Sequence, residues 1–376
     1  MNGGGHDDGP GDGHDTPHDP ADPPAITRWA MHAAPDLGMR ESAPPVATRI
    51  GGGFSNLTFR LDWTTADGAS RRAVLRRPPP DVVPQGGAHD MLREWRVLRA
   101  VHGSTVPVPA PLAACEDSTV LGAPFYLMAH VDGAVVRRLG DAPVLRDPVT
   151  MRRFAESTVD GLAALHALPV AAMAGLDASK AAGYGTRQVD GWRRRWTAAR
   201  PADVPDDDAA RVFSWLAARA TDDAPPALLH NDWKFDNLLV DADAPWTVRA
   251  VLDWEMATVG DPAYDLGTTL GYWMAPDDPP AFRALALGVT TAPGSLTRHE
   301  VIARYEAASG RRVDDPVHCW AFGLAKVAVI AVQLHARHVA GRVRDDRYAP
   351  LGRVATLLMA TADRAIRSDS LRVVAG

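Results

Sequence analysis

The chain has 376 residues, 46% of them hydrophobic, enough for a substantial core and for two lobes or domains rather than one. Six aspartates among the first 24 residues (Asp7, Asp8, Asp12, Asp15, Asp19 and Asp22) account for the formal net charge of -6, so the remainder is near neutral. Total charge therefore points neither to a nucleic-acid surface nor to a trap for cations.

In chain order, residues 1–24 are rich in Gly, Asp, His and Pro, too poor in apolar surface to offset the entropy of ordering, and are expected to form a disordered tail. His6, His14 and His18 within it are irregularly spaced and read as solvated rather than metal-binding. A short helix is expected over 26–39, then a strand at 46–50, a glycine run, a strand at 57–63, a turn at Asp67-Gly68 and a third strand at 72–77. Leu92, Trp95, Leu98 and Val101 recur at helical spacing, which predicts a helix over 88–102 buried on that face. Strands at 111–116 and 124–131 complete a small lobe of five strands and one helix, 25–131.

Beyond Gly133 the pattern turns mainly helical, with helices expected at 147–168, 186–199 and 206–220. Thr297 and Glu300 form a capping box for a helix reaching Ser309, where Gly310 supplies the stop. Asp315 and Pro316 open a long apolar helix that ends near Gly341. Its most apolar part, 321–334, is interrupted by Lys326 and reads as too short to span a bilayer. The N-terminus carries no apolar signal segment, and Cys115 and Cys319 lie far apart without metal-ligand spacing, so a soluble protein of a reducing cytoplasm is expected. The expected fold class is α+β, a small antiparallel-sheet lobe followed by a larger, mainly helical lobe, 132–376.

One dense polar cluster lies between those helices. In LLHNDWKFDNLLVD, Leu228 to Asp241, apolar stretches bracket His230, Asn231, Asp232, Lys234, Asp236 and Asn237. A further apolar stretch, Val248 to Leu252, delivers Asp253, and GDPAYDLG brings Asp261 and Asp265. Phosphoryl transfer needs alignment and charge neutralisation more than covalent help: a carboxylate facing the acceptor hydroxyl and oxygen ligands for a metal. The order His230, Asp232, Asn237, Asp253 follows the kinase spacing H-x-D-x-x-x-x-N with a later metal-binding Asp. Asp232 suits a base, while the Asn237 amide oxygen and the Asp253 carboxylate suit Mg²⁺. Single aspartates of this kind also cap helices and turns.

On HNDWKFDN and LDWEMATVGDPAYDLG the chain resembles the aminoglycoside phosphotransferase-like superfamily of kinases. That superfamily includes choline kinases and the kinase-like domains attached to some acyl-CoA dehydrogenases, and the resemblance is nearest to the last. It covers roughly residues 40 to 360 and implies a bilobal protein-kinase-like fold using ATP and Mg²⁺, with Asp232 as base and Asn237 and Asp253 as metal ligands. Lys234 lies where many kinases place a phosphate-contacting lysine, and Asp265 is expected to brace the catalytic loop through backbone amides.

In the small lobe, Gly51, Gly52, Gly53, Phe54, Ser55 and Asn56 fall at a strand-turn-strand corner, where glycines let amides approach phosphate oxygens; an ordinary hairpin turn fits the same residues. Arg76 stands where a phosphate-pairing lysine is expected, with Glu94, placed opposite the apolar face of its helix, as ion-pair partner or else a solvated surface residue. Backbone near Met128 to His130 is the candidate adenine contact, against a plain buried edge strand. No room for a protein-kinase peptide segment exists between Asp253 and Asp265, so a small-molecule hydroxyl is the expected partner, with neither nucleic acid nor membrane. Trp192, Arg193, Arg194, Arg195 and Trp196 suit a phosphorylated or CoA-thioester acceptor, or form a solvated helix face. The resemblance implies a hydroxyacyl-CoA. The alternatives are an aminoglycoside held by Asp203, Asp206, Asp207, Asp208, Asp222 and Asp223, and a catalytically silent nucleotide-binding protein.

Overall fold

Period-two alternation organises the first sheet. In the computed structural model, which describes residues 21–50, 56–79, 90–170, 176–221, 224–285, 287–342 and 345–373, strand β1 (Val46–Arg49) pairs with β2 (Leu57–Thr64) and β2 with β3 (Ser70–Arg77). β3 pairs with β5 (Phe125–Ala129), and β5 with β4 (Pro111–Cys115), all antiparallel, in the order β1-β2-β3-β5-β4. Successive side chains point to opposite faces. Phe59, Leu61, Trp63, Ala73, Leu75, Phe125 and Leu127 therefore share one buried face, and Val74, Arg76, Tyr126 and Met128 the other.

Helix α1 (Pro23–Ala33) covers the first face with Ile26 and Ala30. The Asp22 carboxylate accepts from the Ala25 amide and proline occupies the first turn, so the helix starts at Pro23 and stops at Ala33. This corrects the expected helix over 26–39 and the extension of the tail through residue 24; residues 1–20 lie outside the described residues. Helix α2 (Met91–Val101) covers the second face through Met91, Glu94, Val97, Leu98 and Val101, while Leu92 and Trp95 are only half-buried. Glu94 thus lies on the buried stripe, not opposite it. The Arg76 guanidinium beneath the helix turns it so, because a buried carboxylate needs an opposite charge. A single-turn helix, α3 (Ser118–Leu121), joins β4 to β5.

The larger lobe is mainly helical. It contains α4 (Pro148–His166), α5 (Tyr184–Ala199), α6 (Asp207–Arg219), α7 (Pro262–Tyr272), α8 (Pro280–Arg283), α9 (Arg298–Ser309), α10 (Pro316–Val339) and α11 (Leu351–Ser368). Strands β6 (Ala134–Val135), β8 (Leu238–Val240) and β9 (Val248–Val251) form one antiparallel sheet, and β7 (Ala227–Leu229) pairs with β10 (Thr258–Gly260). The capping box at Thr297 and Glu300 is formed, Gly310 ends α9 with φ of 68°, and Asp315 caps α10 through the His318 amide. The amphipathic α11 was not anticipated.

Helix α10 is the axis of this lobe, packed by α5, α6, α7 and α11. At 24 residues it exceeds the expected apolar run and is, by length and composition, long enough to cross a membrane; here most of its surface is buried by the other helices. Glycines set its approach to α7. A Cβ on Gly323 would overlap the Gly267 carbonyl, and one on Gly271 would sit 2.5 Å from the Gly323 carbonyl. Gly323→Ala is accordingly expected to destabilise the protein by about 1–3 kcal/mol through forced helix separation. Denaturant titration checks this, and an unchanged midpoint would show that the helices part without cost.

Candidate active site

The polar loop is held by its apolar members. Between β7 and β8, Trp233 and Phe235 turn inward. The Trp233 Nε1–H donates to the Thr158 carbonyl at 3.0 Å, its own carbonyl accepts from Thr269 Oγ1 at 3.0 Å, and Phe235 stacks between Phe154 and Trp273. Asp232 and Lys234 alternate with them and are half-buried. Asn237 Nδ2 donates to the Asp232 carbonyl at 2.8 Å and to its Oδ2 at 2.9 Å, while Lys234 Nζ lies 2.9 Å from the same Oδ2. Burial opposes the Lys234 charge, but Tyr272 and Asp232 outweigh it and hold the ammonium above the ordinary lysine range. The Asp232 amide donates to His230 Nδ1 at 3.2 Å, so the proton of the neutral ring sits on Nε2, which donates to the Leu252 carbonyl at 2.9 Å.

That bond, with the Leu252 amide donating to the Asn237 carbonyl at 2.8 Å, clamps Leu252 at both polar ends and fixes where Asp253 emerges. Asp253 itself is left-handed, with φ of 65°. Its Oδ1 accepts from Arg76 Nη2 at 2.9 Å, and Arg76 Nη1 lies 3.0 Å from Glu94 Oε1. Burial pushes the Asp253 carboxyl up, but the Arg76 charge and hydrogen bond prevail and hold it below the usual range. For Glu94 burial prevails over Arg76 and its carboxyl is raised. The Trp254 amide donates to Glu94 Oε1 at 3.2 Å, Asn56 Nδ2 donates to Glu255 Oε2 at 2.8 Å, and Arg93 donates to the Glu255 and Ala257 carbonyls. Four small-lobe side chains thus land on residues 253–257.

Behind the loop, Asp265 accepts from the amides of His230 at 2.6 Å and Asn231 at 2.8 Å, the bracing expected of it. His166, to which the sequence assigned no role, sits 3.1 Å from the same carboxylate and 2.7 Å from the Tyr305 hydroxyl. Asp261 caps α7 through the Ala263 amide, the ordinary role of such a residue. Lys326, buried in α10, donates to the Asn231 carbonyl at 2.5 Å. Its one visible signal was a lone charge in an apolar run.

With this geometry in place, comparison with known proteins is decisive. The sequence pattern of the phosphotransferase enzyme family matches residues 46–298. The chain belongs to that family. It is 30% identical over 313 residues to human acyl-CoA dehydrogenase family member 11, covering 81% of this chain and 38% of that protein. It is also 30% identical over 310 residues to the probable acyl-CoA dehydrogenase IBR3 of Arabidopsis thaliana, covering 78% of this chain and 36% of the plant protein. The chain therefore spans less than two fifths of the length of these relatives. A crystal structure of a Ralstonia eutropha protein assigned as an aminoglycoside phosphotransferase superposes with a TM-score of 0.74 at 26% identity, covering 92% of this chain and 98% of that one. The GDP and kanamycin complex of the phosphotransferase APH(2")-IIIa shares the fold, with a TM-score of 0.57 at 17% identity over 91% of this chain and 98% of that one.

In this phosphotransferase, Gly52, Gly53 and Ser55 lie outside the described residues, while Asn56 faces Glu255. Arg76 is buried between Glu94, the ion-pair partner expected of it, and Asp253. Met128 is buried in β5, which is interior to the sheet between β3 and β4 and not an edge strand; His130 follows in the link to the large lobe. For a metal, the donor chemistry fits. Asn237 spends its amide nitrogen on Asp232 and Asp253 spends one oxygen on Arg76, which leaves one hard oxygen on each. Among the described residues no three His, Cys, Asp or Glu side chains gather into a metal cage.

Beside Asn231 opens a cleft of about 740 Å³ whose walls carry Arg93, Lys180, Arg187 and Arg195 against Asp90 and Glu255. Trp192 lines it, with the Arg195 guanidinium 4.7 Å over its ring. Arg193 pairs instead with Asp190, Arg194 is exposed, and Trp196 is buried on Asp206. Asp203 lies by His335, Asp206 by Trp196 and Arg200, and Asp208 by Arg211, so none of them lines the cleft; Asp222 and Asp223 lie outside the described residues.

Proposed function

We propose that this phosphotransferase moves the γ-phosphoryl group of Mg-ATP to a hydroxyl of a small molecule, and that the acceptor is a hydroxyacyl-CoA. Asp232 is the base in this reading. The acceptor oxygen bonds to the γ-phosphorus as the bond to the β–γ bridging oxygen breaks, ADP leaves with that electron pair, and the hydroxyl proton passes to Asp232. Lys234, already seated on Asp232, neutralises charge on the group in transfer. Asn237 and Asp253 hold magnesium, which when bound offsets the charge of the phosphate oxygens. Gly52, Gly53, Ser55 and Asn56 serve the phosphates, Arg76 and Glu94 set Asp253 from the small lobe, and backbone from Met128 to His130 meets adenine.

The observation that carries the chemistry is the clamp on Leu252, which ties Asp253 to the loop bearing Asp232 and Asn237. For the acceptor it is the cation-lined cleft, suited to the phosphates of CoA; the relatives named as acyl-CoA dehydrogenases support the same class. An aminoglycoside would need an acidic wall, and the described part of the acidic run lies elsewhere. The test supplies Mg-ATP with a series of hydroxyacyl-CoA esters and, in parallel, kanamycin, and follows ADP release and the mass of the product. A phosphorylated CoA ester is expected. Modification of kanamycin alone would overturn the CoA assignment, and no turnover with any acceptor or with water would leave a silent nucleotide-binding protein.

A further inference from the structure

Asn231 is a non-glycine residue with φ of 64°, and it immediately precedes Asp232. Such a backbone persists where its surroundings over-determine it. Here four partners do so. The Asn231 amide donates to Asp265 Oδ1 at 2.8 Å, its carbonyl accepts from Lys326 Nζ at 2.5 Å, its Oδ1 accepts from the Tyr184 hydroxyl at 2.9 Å, and its Nδ2 donates to the Met256 carbonyl at 3.2 Å.

The carbonyl of Asn231 and the amide of Asp232 belong to one planar peptide unit. Lys326 holds that plane at its oxygen, and His230 Nδ1 holds it at its hydrogen, 3.2 Å from the Asp232 nitrogen. A plane gripped at both ends fixes the direction in which the next Cα projects its carboxylate. Lys326 reaches it because the glycine contact between α7 and α10 brings the helices together one turn away, and Thr268 on α7 takes a second hydrogen bond at 3.1 Å. The ammonium also lies 5.4 Å from the centre of the Trp192 ring, part of the cleft wall.

Packing does not account for a charge at this place. A buried ammonium is costly, and an apolar side chain of similar length would fill the interior of α10 at less expense. Burial brings the Lys326 ammonium down to about 8, with the Asp232 and Asp265 charges acting the other way.

We infer that Lys326 is a positioning residue for phosphoryl transfer: from inside α10 it grips the Asn231 carbonyl and so aims Asp232 at the acceptor. This rests on the reading of Asp232 as the base. The test uses the full chain and the hydrolysis of Mg-ATP with water as acceptor. Lys326→Met is expected to lower kcat by about 10- to 100-fold with the nucleotide KM held within about threefold, because the misdirected group is the base and not the nucleotide site. Lys326→Gln, shorter and uncharged but still a donor, is expected to fall between.

The outcomes separate the two ideas. If Asp232→Asn turns over ATP as fast as wild type, or wild type turns over with neither water nor any hydroxyl acceptor, the base reading fails and takes this inference with it; where water alone is inert, the same comparison is made with the acceptor that is phosphorylated. If Asp232→Asn is inactive while Lys326→Met keeps wild-type kcat, only the inference on Lys326 fails. A raised nucleotide KM with unchanged kcat also overturns it, as that marks a structural role toward the nucleotide. Should the Met variant not fold, wild-type kcat in Lys326→Gln overturns it instead.

Discussion

Asp232→Asn is expected to lower kcat by about 10²- to 10⁴-fold, the usual worth of a positioned acid–base group, while nucleotide affinity changes little. The substitution is nearly isosteric. It removes the acceptor for the proton but keeps an amide oxygen able to take the Asn237 Nδ2–H at its present 2.9 Å. Lys234 loses the carboxylate 2.9 Å from its ammonium, so some of the loss will come from its misplacement; Lys234→Met measured alone and combined with Asp232→Asn apportions the two. Steady-state turnover beside nucleotide titration by intrinsic fluorescence reads the result. A drop below about tenfold would remove Asp232 from the chemistry.

The second large effect concerns stability. Arg76→Met is expected to cost about 3–5 kcal/mol, because it leaves the Glu94 carboxylate buried without its counter-charge. Side-chain exposure is 9% for Arg76 and 1% for Glu94, so water cannot replace the lost partner. Arg76→Lys keeps a charge but loses the planar fork that serves Glu94 and Asp253 together, and should fall between wild type and the Met variant. Adding Glu94→Gln to Arg76→Met should restore part of the stability by removing the orphaned charge. Urea unfolding of the four proteins checks this. Equal stability of Arg76→Met and wild type would mean that the pair is not buried as described.

The legible part of the molecule was local. Alternation in Phe59, Leu61 and Trp63 and the caps at Thr297, Asp315 and Gly310 announced elements that formed close to their expected ends. Likewise the apolar brackets around His230 to Asn237 marked a loop whose Asp232 and Asn237 do meet. What escaped depends on partners remote in sequence. Glu94, on α2, faces inward because Arg76, on β3, lies beneath it. The second bond of Arg76, to Asp253 177 residues later, has no local signature. The weight of Lys326 and His166 appears only once α10 and α4 are seated behind the loop. Helix α11 was missed for another reason: it opens after Pro350 with no side-chain cap, so its start lacks the signal that marked α9 and α10.

Arg76, Glu94, Asn56 and Arg93 all fasten onto the five residues 253–257, while His230 and Asn237 secure Leu252 just before them. The left-handed residue Asp253 thereby sits where the two sets of bonds meet, those of the small lobe on one side and those of the catalytic loop on the other. Any tilt of the upper half must either carry that carboxylate along or tear it from its moorings. The direction of that carboxylate is thus tied to the seating of the small lobe.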